Sequence, residues 1–141
     1  LQLENALAAI GSAGFLGHGF NKTPIYFPES STDFIFAVFA SNFGFVGVLV
    51  LLAIIIYFDV NIIRLARRKI YDTDKYILTG IVAMLLFQQI QNIGMTIGLL
   101  PITGITLPFI SYGGSSLLSY MIMIGIILNI SMEKNKKYWS K

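Results

Sequence analysis

The chain has 141 residues, 55% of them hydrophobic and only 12% charged, with a mean hydropathy of +0.74 and no cysteine. Soluble domains carry about 25% charged residues. The composition therefore excludes an ordinary soluble domain, and the missing thiols exclude a disulfide framework or a thiolate metal site. The net charge of +3 is small, and where the cations stand matters more than their sum.

The first residue is Leu1, and no basic, apolar, small-residue leader follows it. The chain is therefore expected to be a piece of a longer membrane protein. In LQLENALAAI, the residues Leu3, Ala6, Leu7 and Ile10 recur at helical spacing, which predicts a short amphipathic helix. Gly11, Gly14, Gly17 and Gly19 then break it. No strand precedes these glycines and no GK[ST] follows, so they read as a turn-rich loop on the membrane surface and not as a nucleotide cradle. His18 is the single imidazole, and Lys22 is the only cation before Arg64. Lys22 reads either as an ordinary surface lysine or as a phosphate contact.

The stretch Pro28-Glu29-Ser30-Ser31-Thr32-Asp33 stands directly before an apolar run. Ser31, Thr32 or Asp33 can cap the helix that follows. A carboxylate at the start of a membrane helix also lies where water meets hydrocarbon, near the positive end of the helix dipole, and suits a base acting on a lipid head group. Both readings of Asp33 stand on spacing alone.

Residues 34–58 carry no ionisable side chain except Tyr57, and about 20 residues suffice to cross the hydrocarbon core, so this is the first expected span. Gly44 and Gly47 within it permit close helix approach. Residues 59–75 form the expected polar connection, with Arg64, Arg67, Arg68, Lys69 and Lys75. Residues 76–98 and 115–132 are the second and third spans, separated by an uncharged loop, 99–114, whose Pro101, Gly104, Pro108, Gly113 and Gly114 forbid a continuous helix. The tail, 133–141, holds Lys134, Lys136, Lys137 and Lys141. The cations gather in the connection and the tail, which puts both in the cytoplasm and leaves the Asp33 stretch and the 99–114 loop together on the outer face.

Irregular backbone at membrane depth needs protein or a wet cavity around it, so the 99–114 loop is expected to be re-entrant. Its amides, Gly113, Gly114 and the hydroxyls of Ser111, Tyr112, Ser115 and Ser116 read either as donors to phosphate or sugar oxygens or as a cap for the third span. In the second span Gln88, Gln91 and Asn92 share one helical face, as packing residues or as a cavity lining. No Ser-His-Asp order, metal-ligand spacing or P-loop is present. The cations flank membrane spans, where anionic lipid heads explain them without nucleic acid.

The runs AIGSAGFLGHGF, FPESSTDFIFAVFASNFGFVG and QNIGMTIGLLPITGITLPFISYGGSS, followed by the basic tail, resemble the C-terminal part of the SEDS (shape, elongation, division and sporulation) membrane proteins, the RodA, FtsW and SpoVE group. The likeness runs through the whole chain in order. It implies an all-α integral membrane protein of the bacterial cytoplasmic membrane, with these three spans the last of about ten. The implied activity is peptidoglycan glycosyl transfer at the outer face: lipid II is polymerised into glycan carried on undecaprenyl pyrophosphate, with a class B penicillin-binding transpeptidase as partner. The alternative is a non-enzymatic lipid-precursor flippase or a scaffold for that partner.

Carried over by motif, Asp33 is the implied catalytic residue, and Glu29, Thr32 and Ser111 to Ser116 are implied substrate-binding residues; Lys22, outside these motifs, joins that set as the candidate phosphate contact. A divalent cation, Mg or Mn, could assist the leaving group, though no ligand set in the sequence demands one. Many members carry His where Ser31 stands, a lysine in a G-K-G where this chain has Gly17-His18-Gly19, and an acidic pair at Ser41-Asn42. The elongation, division and sporulation branches are therefore not separated. The isolated chain is expected not to polymerise, because the rest of the cavity wall belongs to the N-terminal remainder.

Overall fold

Each long apolar run becomes a helix, because a chain without water around it must satisfy its backbone groups internally. The computed structural model describes residues 2–19 and 33–132. It contains α1 (Gln2–Ser12), α2 (Ile35–Arg68), α3 (Asp72–Thr96) and α4 (Gly114–Met132), with no strand among the described residues. The last three are long and apolar enough to cross a membrane.

Helices α2 and α3 form an antiparallel hairpin. The connection expected over 59–75 shrinks to residues 69–71: helical geometry continues through Asp59, Arg64 and Arg68 and resumes at Asp72. The cause is that Ile62 keeps the inward stripe of α2 going past Asp59, against Leu78, Ile81, Val82 and Leu85 of α3. Tyr120 and Ile130 of α4 complete this cluster. Lipid tails are as apolar as these side chains, so close packing and polar ties, more than burial from water, hold such helices together.

The ties come from the polar residues of α3, which serve partners on α2, on α4 and in the loop after α3. Gln88 accepts from the Tyr120 hydroxyl of α4 at 3.1 Å. Gln89 donates to the Asp59 carboxylate of α2 at 3.3 Å, both residues being buried. Gln91 and Asn92 bind the loop after α3. Their common face thus joins elements together, and Asp59 is a buried carboxylate inside a helix, not part of a polar connection.

The first span is not one helix. At Gly44, φ is 67° and ψ is −163°, a left-handed break that only glycine adopts without strain. The segment Phe45–Arg68 alone, at 1.5 Å per residue, still reaches about 36 Å. Residues 13–19 dock onto the break. His18 N–H donates to the Ser41 carbonyl at 2.9 Å and Gly19 N–H to Asn42 at 3.0 Å, while Phe45 N–H donates to Gly14 at 3.0 Å and Val46 N–H to Phe15 at 3.2 Å. These bonds satisfy groups that the interrupted helix leaves over.

The glycine run is therefore a clasp, not a free surface loop. Gly17 has φ 76°, and a Cβ there would overlap the backbone of Asn42 and Gly44; one on Gly44 would overlap Gly17 and Phe15. Gly17→Ala is expected to destabilise the full-length protein by about 2–4 kcal/mol, combining left-handed strain with backbone overlap. Gly80→Ala, inside α3 with open space at its Cβ, is expected to be neutral or slightly stabilising. Thermal unfolding of both variants in detergent checks the contrast, and equal midpoints would refute it.

Candidate functional site

Five pieces of chain meet at the end of the bundle where α2 begins and α3 ends: α1, the glycine clasp, the start of α2, the end of α3 and the loop 97–113. Ala6 and Ala9 of α1 are buried against Phe34 and Ala37. Small residues on both sides let the two helices approach closely. Leu7, on the same helix, reaches to within contact distance of the Cβ position at Gly98.

The end of α3 is fixed by a Schellman turn, in which Leu99 N–H donates to Gly94 at 2.8 Å and Gly98 N–H to Met95 at 3.2 Å. Gly98, at φ 81°, supplies the left-handed residue this turn needs. The chain then turns back into the bundle. Leu107 is fully buried beside Phe36 and Leu51, and Phe109 packs edge-on against Phe58 of α2 at 5.6 Å and tilted against Tyr120 of α4 at 5.1 Å. Phe58 lies well along α2 from Gly44, so the loop is re-entrant. Phe109 holds φ 65°, unusual for a side chain of its size, and is kept there by these two rings.

Asp33 is half-buried at the start of α2. Its carboxylate stands over Gly104 of the loop, with Oδ2 3.4 Å from where a Cβ would be. Its backbone is held from below: Asn92 Nδ2 donates to the Asp33 carbonyl at 2.8 Å and to the Ile105 carbonyl at 2.7 Å. Asn92 is wholly buried, and its main-chain carbonyl accepts from Thr96 Oγ1 at 2.7 Å. One amide thus joins the carboxylate-bearing turn, the third helix and the re-entrant loop. Gln91 adds a second tie, donating to Pro101 at 2.9 Å.

Helix α2 starts at Ile35 with Phe34 in the capping position and no side-chain cap bond. Asp33 therefore stands one residue before the cap and is not the cap itself. Ser31 and Thr32, the other expected caps, lie outside the described residues, as do Glu29 and Lys22.

The SYGGSS segment is spent largely on its own turn. Ser111 Oγ accepts from Leu107 N–H at 2.8 Å, and Ser116 Oγ donates to the Gly113 carbonyl at 3.0 Å. Tyr112 and Ser115 are exposed, and Gly114 opens α4. Two of the expected donor hydroxyls therefore shape the loop. Sequence reading missed Gly104 and Ile105 as parts of the site. The signal was present in the Thr-Gly-Ile of the loop, but a glycine between prolines reads first as a helix breaker.

His18 is paired with Ser12, with Nε2 and Oγ 3.0 Å apart. Among the described residues no three or more His, Asp or Glu side chains gather in one place.

The sequence profile of the FtsW, RodA and SpoVE family, described as cell cycle protein, matches residues 1–136. The chain belongs to this family. It is 43% identical over 138 residues to the probable peptidoglycan glycosyltransferase FtsW of a Synechocystis species, covering 96% of this chain and 35% of that protein. Its fold superimposes with a TM-score of 0.82 and 32% identity on a chain solved in a study of how a peptidoglycan synthase complex coordinates polymerization and crosslinking, covering 96% of this chain and 38% of that one. Against the rod-shape-determining RodA of Thermus thermophilus, solved with an aspartate-to-alanine substitution, the TM-score is 0.73 at 33% identity, over 89% of this chain and 39% of that one. The chain thus spans about a third of the length of the relatives it matches. The all-α membrane fold expected from the likeness is the SEDS fold of these proteins.

Proposed function

We propose that this chain forms the outer-face catalytic end of a peptidoglycan glycosyltransferase that polymerises lipid II. One observation carries the reading: a carboxylate, Asp33, is fixed over a re-entrant loop, with its main chain locked to that loop through Asn92. A general base needs that kind of fixation, because a misplacement of about 1 Å costs on the order of 100-fold in rate.

In the proposed reaction Asp33 takes the proton from the 4-hydroxyl of the acceptor sugar as that oxygen attacks the anomeric carbon of the donor glycan. The bond from that carbon to undecaprenyl pyrophosphate breaks, the pyrophosphate leaves with the electron pair, and the configuration inverts. The exposed first turn of α4, with Tyr112 and Ser115 beside it, offers donors to the departing anion. The partner that fits this reading is a class B penicillin-binding transpeptidase that crosslinks the product, in keeping with the synthase complex to which the fold is similar.

Reconstitution tests it. The full-length protein with purified lipid II is expected to yield glycan polymer, and an impermeant maleimide is expected to label a Tyr112→Cys variant in intact cells. Absence of polymer would overturn the activity, and labelling only after permeabilisation would overturn the outer-face placement.

A further inference from the structure

At the far end of α2 from Asp33, helices α2 and α4 diverge and leave a groove of about 360 Å³. Its depth is apolar, with Ile127 and Leu128 on the α4 side, while Arg64, Arg68, Asn61 and Ser131 stand at its polar rim. Arg64 and Arg68 are one helical turn apart, so both face the same opening. Both are exposed, and neither has a carboxylate within ion-pair distance among the described residues, whereas Lys75 pairs with Asp72 at 3.4 Å. Asp59, the acid of α2, is turned to Gln89. Two guanidinium groups without a counter-charge among the described residues, above a hydrocarbon-lined cleft on a membrane helix, match a ligand with an anionic head and an apolar tail.

We propose that the α2–α4 groove is a binding site for an anionic phospholipid. The phosphate lies between the Arg64 and Arg68 forks, which can each bind two of its oxygens. A hydroxyl of the head group reaches Ser131, and an acyl chain runs along Ile127 and Leu128. A second groove, on the other side of α2, has Arg67 and Lys75 at its mouth. There Lys75 already faces Asp72, so its charge is partly spent. That difference assigns the lipid to the Arg64 and Arg68 side.

The test uses the full-length protein in neutral detergent and native mass spectrometry, with phosphatidylglycerol and phosphatidylcholine in competition. The wild type is expected to retain phosphatidylglycerol preferentially. Arg64→Gln with Arg68→Gln is expected to lose about thirtyfold in that affinity, at roughly a factor of five per cation. The Arg67→Gln, Lys75→Gln pair is expected to stay within about threefold. Arg64→Lys with Arg68→Lys keeps the charge, is expected to fold as the wild type and to retain most of the preference, and guards against a folding defect. Equal retention of the two lipids by the wild type would overturn the site, as it would if the rest of the chain filled the groove. Equal losses in the two glutamine pairs would also overturn it, because they would show a diffuse surface charge. Neither result touches the reading of Asp33, which lies at the other end of the bundle.

Discussion

Asp33→Asn in the full-length protein is expected to lower glycan synthesis from purified lipid II by about 10²–10⁴-fold, the range over which a positioned general base contributes. The substitution is nearly isosteric and leaves the local architecture in place. Asn92 binds the main-chain carbonyl of residue 33 and not its carboxylate, so the tie survives. The space above Gly104 that holds one carboxylate oxygen takes an amide equally well. An unchanged thermal midpoint together with lost polymer would therefore locate the defect in proton transfer. Unchanged polymer yield would remove the base from residue 33 and return the protein to the scaffold or flippase reading.

The spans were legible because apolar runs of sufficient length admit few other structures, and α1 because Leu3, Ala6, Leu7 and Ile10 keep a helical period. The meeting of the Asp33 turn with the 97–113 loop followed from counting spans between them. The break at Gly44 was not legible. Inside an apolar run a glycine reads as a packing residue, and the backbone bonds that stabilise the left-handed turn come from residues 14–19, distant in sequence. The role of Asn92 was hidden for the same reason, since its partner lies 59 residues away.

Asp59 shows the limit of boundary reading. It was placed just outside a span because it is the first charge after one, yet α2 continues and buries it against Gln89. The spans therefore do hold one buried acidic side chain, Asp59, where conduction of a charged head group would call for intramembrane charge. That side chain is already engaged by a neighbour, so the preference for chemistry at Asp33 stands on the geometry around Asn92 and not on the absence of charge.

Asn92→Ala is expected to be the second most damaging change, although Asn92 is a positioning residue with no path to substrate. Truncation leaves the half-buried carbonyls of Asp33 and Ile105 without their shared donor, at about 1 kcal/mol each. It also uncouples the carboxylate-bearing turn from the loop over which, in the proposed reaction, the sugar lies. A displacement on the order of 1 Å would lower kcat about 100-fold. In the proposed reaction lipid II contacts many groups besides this turn, so KM is expected to move much less. Gln91→Ala is the control, because Gln91 ties only Pro101, at the exposed start of the loop. Steady-state kinetics of the two full-length variants at a temperature where both stay folded separates the cases. A kcat loss confined to Asn92→Ala supports the clamp. Equal losses in the two variants, or a loss in KM alone, would mean that Asn92 merely packs α3 and that some other contact sets the position of Asp33.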